Sequence, residues 1–166
     1  MIKELPKRYS DEIEMEVREI LGQFPLKRSA LLPILHLVQR EEGYISEEAM
    51  RWVARVLDLT PIQVYEVVTF YTLFNQKPVG KYHLQVCKTL SCALVGAGQL
   101  ISHLENKLGI KVGETTEDGL FTLKTVECLA SCGTSPMMQV NDAYYENLNG
   151  EKVDALLEEL RAKATN

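Results

Sequence analysis

The stretch Val86-Cys87-Lys88-Thr89-Leu90-Ser91-Cys92-Ala93-Leu94-Val95-Gly96-Ala97-Gly98-Gln99 sets two thiols between a run that alternates like a strand and a run with helical spacing. The strand is expected from Tyr82 to Cys87. The helix is expected from Gly96 to Leu108, on Ala97, Leu100, Ile101, Leu104 and Leu108. A second strand, Phe121 to Val126, runs into Val126-Glu127-Cys128-Leu129-Ala130-Ser131-Cys132-Gly133-Thr134-Ser135-Pro136, where two more cysteines follow. The spacings are C-x4-C and C-x3-C, and both pairs lie just past strand ends. If the two strands are neighbours, four thiolates converge on one sheet edge.

Further along, Met137 to Val140 and Ala143 to Glu146 are expected as short strands joined by Asn141-Asp142, and Val153, Leu156, Leu157 and Leu160 mark a last amphipathic helix. This C-terminal half, written βαββα with a helix crossing between the first two strands, is compatible with a small thioredoxin-like layer. Upstream, Ser10 to Phe74 is helical throughout. Its apolar stripes are Ile13, Val17, Ile20 and Leu21, then Leu31, Leu35 and Val38, then Ala49, Val53, Val56 and Leu57. Thr60-Pro61-Ile62-Gln63 opens a fourth helix with an N-cap hydroxyl, proline at the first helical position and a capping-box glutamine, and its stripe runs on through Val64, Val67, Val68 and Tyr71. Proline and glycine in Asn75-Gln76-Lys77-Pro78-Val79-Gly80-Lys81 break that period. The expected fold is α+β: a helical domain over 1–76 followed by an α/β domain over 77–166.

The chain has 166 residues, 46% of them hydrophobic, enough to bury a core in one domain or two small ones. A net charge of -5 offers no basic field for nucleic acid phosphates or anionic lipid. The opening MIKELPKRYS lacks the apolar run of a signal peptide, and no stretch is long and apolar enough to span a bilayer, so a cytosolic location without membrane insertion is expected. In a reducing compartment, four cysteines suit metal ligation or redox chemistry better than structural disulfides.

Three chemistries could use the convergence. A [2Fe-2S] cluster takes four thiolates, and C-x4-C is also the first half of the plant-type ferredoxin spacing. Structural zinc accepts four cysteines but favours C-x2-C pairs on tighter knuckles, and redox disulfides usually show C-x-x-C. Unligated core cysteines are the bland alternative. An oxidised [2Fe-2S] site carries a charge of about -2 and needs backbone N–H donors near its sulfurs. Small residues such as Ser91, Ala93, Gly96 and Gly98 around the first pair, and Ala130, Ser131, Gly133, Thr134 and Ser135 around the second, let the backbone approach. Spacing favours the cluster and leaves zinc open.

The cysteine pattern, Gly113-Glu114-Thr115-Thr116-Glu117-Asp118-Gly119-Leu120-Phe121-Thr122-Leu123 and Val68-Thr69-Phe70-Tyr71-Thr72-Leu73-Phe74 together resemble the E, or 24-kDa, subunit family of respiratory NADH:quinone oxidoreductase (complex I). Ser29-Ala30-Leu31-Leu32, Leu37-Val38-Gln39 and Tyr144-Tyr145-Glu146-Asn147-Leu148 extend the resemblance over nearly the whole chain. It implies a helical docking domain, then a thioredoxin-like [2Fe-2S] ferredoxin domain with Cys87, Cys92, Cys128 and Cys132 as cluster ligands. It further implies a flavoprotein partner carrying FMN and NADH, whose flavin passes an electron to the cluster, and other peripheral-arm subunits around the pair. The assembly would lie on the inner face of the cell membrane, or on the matrix side in a mitochondrion. Equivalent subunits serve NAD-reducing hydrogenases and NAD-dependent formate dehydrogenases, and the rival of another class is a zinc-stabilised adaptor. The family commonly has glycine where this chain has Ala130: a positive φ there would strain alanine, a right-handed turn would accommodate it, and a small effect on potential rather than loss of the cluster is expected.

Other motifs favour plainer accounts. Gly96-Ala97-Gly98 begins like a dinucleotide fingerprint but lacks the third small residue and lies eight residues beyond the strand, so its glycines are assigned to the cysteine loop. His36, among Leu35, Leu37 and Val38, is expected as a satisfied core residue. Phe70, Tyr71 and Phe74 suit core or interface equally, and Asp118-Gly119 is a turn in a structured loop. No acid–base pair or nucleophile arrangement makes the isolated chain an enzyme.

Overall fold

Serine caps and left-handed stops divide the N-terminal half into helices. In the computed structural model, which describes residues 8–165, Ser10 and Ser46 accept the N–H groups of Ile13 (3.4 Å) and Ala49 (3.1 Å) and open α1 (Asp11–Gly22) and α3 (Glu47–Leu57). Between them lies α2 (Leu31–Glu42), led in by a short 3-10 turn at Lys27–Ala30 and ended by Gly43 at φ 78°. The fourth helix, α4 (Pro61–Phe70), begins with the anticipated capping box: the Thr60 N–H donates to Gln63 Oε1 at 2.9 Å. Tyr71 lies beyond its end, in extended backbone. The opening residues 1–7, expected to lack a leader, lie outside those described.

These helices bury one core around Val17, Ile34, Leu35, Val38, Trp52, Val53, Val64 and Val68. Trp52 is fully buried and meets the Tyr9 ring edge-on at 4.8 Å. One expectation changes. His36 is exposed, its ring 5.2 Å from that of Phe74, because neighbours in a helix point about 100° apart and Leu35 and Leu37 take the inward directions. Of the aromatic run, Phe74 is buried whereas Phe70 is 77% exposed.

The chain divides into two compact units after Pro78. In the second, β1 (Tyr82–Cys87) leads through a short helix α5 (Leu90–Leu94) into α6 (Ala97–Leu108), and β2 (Phe121–Val126) returns parallel to β1. Then β3 (Met138–Val140) and β4 (Ala143–Tyr145) form a hairpin on the Asn141-Asp142 turn before α7 (Gly150–Thr165). The sheet order is β2-β1-β3-β4, with β1 and β3 antiparallel. Both hairpin strands are those expected, so the four strands and two longer helices read βαβββα and the shorthand βαββα was one strand short; α5, a helix of five residues, was too short to show a period in the sequence. Leu84, Val86, Phe121, Leu123, Met138 and Val140 form a core with Leu100 and Leu104 of α6 and Val153, Leu157 and Leu160 of α7. Asn141 ties the turn back to β1, accepting from the His83 N–H at 2.9 Å and donating to the Lys81 carbonyl at 3.0 Å.

Alternation puts His83 on the face opposite Leu84. Only 7% exposed, its Nε2 finds no hydrogen-bond partner among the described residues. Burial, reinforced by the Lys124 charge, pushes its pKa down to about 4. The folded chain therefore keeps His83 neutral where the unfolded chain, near 6.5, takes a proton. Stability from this site is complete above the unfolded value and is lost as pH falls toward 4. Wild type should lose about 2 kcal/mol more than His83→Gln between pH 6.5 and 4.5 in paired urea titrations. Equal losses would show that His83 protonates freely in the fold.

Candidate metal centre

The parallel register pairs Cys87 with Val126, so the chain leaves β1 and β2 at the same edge and releases both cysteine segments there. Cys87, the last residue of β1, is 2% exposed, as is Cys92 on α5. Their sulfurs lie within hydrogen-bonding reach of each other, in a small cluster with Ala97 and Met137. Burial works to raise the Cys87 pKa, but the N–H groups of Leu129 and Thr89, with the Cys92 and Thr89 side chains, bring it below the ordinary thiol value. Burial and the neighbouring Cys87 push Cys92 up, opposed by the Ser135 hydroxyl and the Met137 N–H. N–H groups from Leu129, Thr89 and Met137 thus favour the charged form of these sulfurs.

The second pair is on the surface. Cys128 and Cys132 are exposed free thiols, Cys128 accepting the Ala130 N–H at 3.3 Å and Cys132 opening a 3-10 turn at Cys132–Thr134. Among the described residues, no three His, Cys, Asp or Glu side chains are gathered closely enough to hold a metal ion. The structure thus joins Cys87 to Cys92 and carries Cys128 and Cys132 on a loop leaving the same sheet edge. That loop reaches the buried pair through its backbone: Leu129 donates to Cys87, and Met137, just beyond the loop, donates to Cys92.

The Tyr144–Leu148 segment anchors the loop. Tyr144 Oη donates to the Leu129 carbonyl at 3.0 Å, Asn147 N–H to Thr134 O at 2.7 Å and Leu148 N–H to Pro136 O at 2.9 Å. Ser131 and Thr134 donate to the Glu146 carboxylate, holding it below the usual carboxylate range. Ala130 sits at φ 60°, so the right-handed turn expected for it is not formed; the left-handed region suits glycine and costs alanine about 1 kcal/mol. Ala130→Gly should leave the loop in place and raise stability by about 0.5 kcal/mol in denaturant titrations, the relief being partly offset by glycine's chain entropy. A loss of about 1 kcal/mol or more would mean that the alanine methyl is needed in the loop.

Sequence reasoning found all four cysteines and missed their surroundings. The Ser135 hydroxyl on Cys92, 3.2 Å away, was seen only as a small residue. Leu90, Leu94 and Val95, 70%, 77% and 54% exposed, make an apolar patch on and just beyond the helix that bears Cys92, with no periodicity to announce it. In the Gly96-Ala97-Gly98 run, Gly96, at φ 109°, caps α6, and α5 stands between it and β1. The Thr115–Asp118 loop is bonded internally, with Thr116 donating to Asp118 at 2.5 Å and the hydroxyls of Thr115 and Thr122 paired at 2.8 Å.

Four thiols, two of them buried and supplied with N–H donors, are the soft, anionic donor set that iron in a sulfide cluster takes. Known proteins agree with that chemistry. A family model described as thioredoxin-like [2Fe-2S] ferredoxin matches residues 17–161. The E 2 subunit of the NADH-quinone oxidoreductase of Rhizobium meliloti (strain 1021) is 47% identical over 147 residues, 89% of this chain and 88% of that protein. Its counterpart, the E subunit of the Rickettsia felis NADH-quinone oxidoreductase, is also 47% identical, over 85% of this chain and 86% of its own. Among solved structures, an NAD+-reducing [NiFe]-hydrogenase in the air-oxidized state shares the fold at a TM-score of 0.70 and 22% identity. That match covers 80% of this chain, which spans 23% of the hydrogenase chain. The chain belongs to the thioredoxin-like [2Fe-2S] ferredoxin family, beside the E subunits of NADH-quinone oxidoreductase.

Proposed function

We propose that Cys87, Cys92, Cys128 and Cys132 hold one [2Fe-2S] cluster, and that the chain is the electron-transfer component of an NADH-quinone oxidoreductase, taking an electron from FMN on an NADH-binding flavoprotein partner. The observation that carries this reading is the arrival of both cysteine segments at one sheet edge, with N–H groups of the second segment already directed at sulfurs of the first. The cluster supplies a one-electron acceptor, where NADH releases two electrons as hydride. The protein's own part is ligation, donation of N–H groups to charged sulfur and exclusion of water from Cys87 and Cys92.

Docking is assigned to exposed apolar surface. Leu90, Leu94 and Val95 flank the cysteines and suit contact with the flavoprotein, shortening the electron's path. In the helical unit, Ile62, Tyr65 and Phe70 leave an apolar face on α4 that suits other peripheral-arm subunits. Division of labour between a helical docking domain and a cluster domain is part of the proposal. The names of the 47% identical relatives favour a quinone oxidoreductase over a hydrogenase or formate dehydrogenase. No helix among the described residues is long and apolar enough to cross a membrane; a position at the inner membrane face, held through the partner subunits, is part of the proposal.

Anaerobic mixing with NADH tests the assignment. The isolated chain should be reduced slowly or not at all, and addition of the FMN subunit should make reduction rapid, because a flavin must split the hydride's electron pair. Rapid stoichiometric bleaching without the flavoprotein would overturn it.

A further inference from the structure

Ser135 offers its side chain to two acceptors. Its Oγ lies 3.2 Å from Cys92 Sγ and 2.9 Å from the Cys132 carbonyl oxygen, and the hydroxyl has one proton to give. While Cys92 is a protonated thiol, the S–H can point to Oγ and the serine proton can go to Cys132 O. A deprotonated, metal-bound sulfur has nothing to donate and is the more negative acceptor. Hydrogen bonds to charged acceptors are roughly twice as strong as neutral ones, so rotation of one hydroxyl redirects the proton to sulfur. Among the described residues, Thr89 also brings a hydroxyl near a cysteine sulfur, but at 3.8 Å from Cys87. Ser131, in the same loop, is turned away to Thr134 and Glu146.

We propose that Ser135 is a positioning residue for electron transfer: its hydroxyl donates to the Cys92 sulfur of the loaded site and raises the reduction potential. This rests on the cluster assignment above. Reduction adds one negative charge that is shared by the ligand sulfurs, and a donor already aimed at one of them stabilises the reduced form more than the oxidised form. The backbone N–H groups of Leu129 and Met137 act in the same sense but are fixed by the chain, whereas Ser135 supplies a contribution that a single substitution can remove. Residue 135 is therefore a determinant of how far downhill the electron falls when it arrives.

EPR-monitored redox titration of the full-length, cluster-loaded chain tests this. Ser135→Ala should lower the reduced-to-oxidised ratio at a fixed ambient potential roughly tenfold, about 59 mV for a one-electron couple. Ser135→Thr, which keeps the hydroxyl, should stay near wild type, and Ser131→Ala should not move the midpoint. If Ser135→Ala loads poorly, Ser135→Val against Ser135→Thr makes the same comparison at nearly constant shape, with the threonine variant expected at the higher potential. A normal [2Fe-2S] signal with an unshifted midpoint in the variants lacking the hydroxyl would overturn the role of Ser135 and leave the cluster assignment standing. Absence of any cluster in the wild-type chain would overturn both.

Discussion

Serine in place of any one of Cys87, Cys92, Cys128 or Cys132 is expected to abolish the cluster or grossly alter it. A hydroxyl is a harder, less readily ionised ligand than a thiol, and iron in a sulfide cluster selects soft thiolate. The four effects should be of similar size even though the surroundings differ. Cys87 and Cys92 are buried against Ala97 and Met137, while Cys128 and Cys132 are exposed on their loop. Iron content and the EPR spectrum of the reduced chain are the measurements. A variant with full iron and a normal signal would remove its residue from the ligand set, and serine at the buried pair would then be read as a packing change only.

Trp52→Ala is expected to have the largest effect on stability. The side chain is fully buried and is the only tryptophan in the chain. Emptying such a site typically costs about 3–5 kcal/mol, a large part of the roughly 5–15 kcal/mol that separates folded from unfolded domains. The part of the helical circular dichroism that comes from α1 to α4 should therefore be lost at much lower urea than in wild type, while α6 and α7 keep theirs. Because Trp52 belongs to the helical unit and all four cysteines follow Pro78, the visible absorbance of the cluster should persist beyond that transition. Loss of the cluster colour in that same early transition would contradict the proposed division between a helical half and a cluster half.

What could be read from the sequence depended on how far each signal extends along the chain. The capping box at Thr60–Gln63 and the strands at 82–87 and 121–126 were legible because caps and periodicity are local. That the two strands are neighbours stood only as a condition in the sequence; the structure pairs them in parallel, with Cys87 beside Val126, as a helix crossing between them permits. Facing direction was harder to read. His36 looked internal among apolar neighbours and is exposed, while His83, set in an ordinary alternating strand, is the buried histidine with an unpaired nitrogen. Thr89 donates to Cys87 from two residues away, but the donors from Leu129, Ser135 and Met137 come from far along the chain, and no spacing rule in one sequence encodes that approach. The left-handed backbone at Ala130 was one of two alternatives the sequence left open, since the family's glycine there allows it while alanine ordinarily signals a right-handed turn.

Function turns on what the four sulfurs hold. Purified full-length chain, assayed anaerobically for iron, labile sulfide and zinc and examined by visible and EPR spectroscopy, tests it most directly. The expected result is a coloured protein with about two iron and about two sulfide per chain, giving a [2Fe-2S] EPR signal on one-electron reduction. A colourless protein containing one tightly held zinc would contradict the cluster assignment and return the chain to the class of zinc-stabilised adaptors.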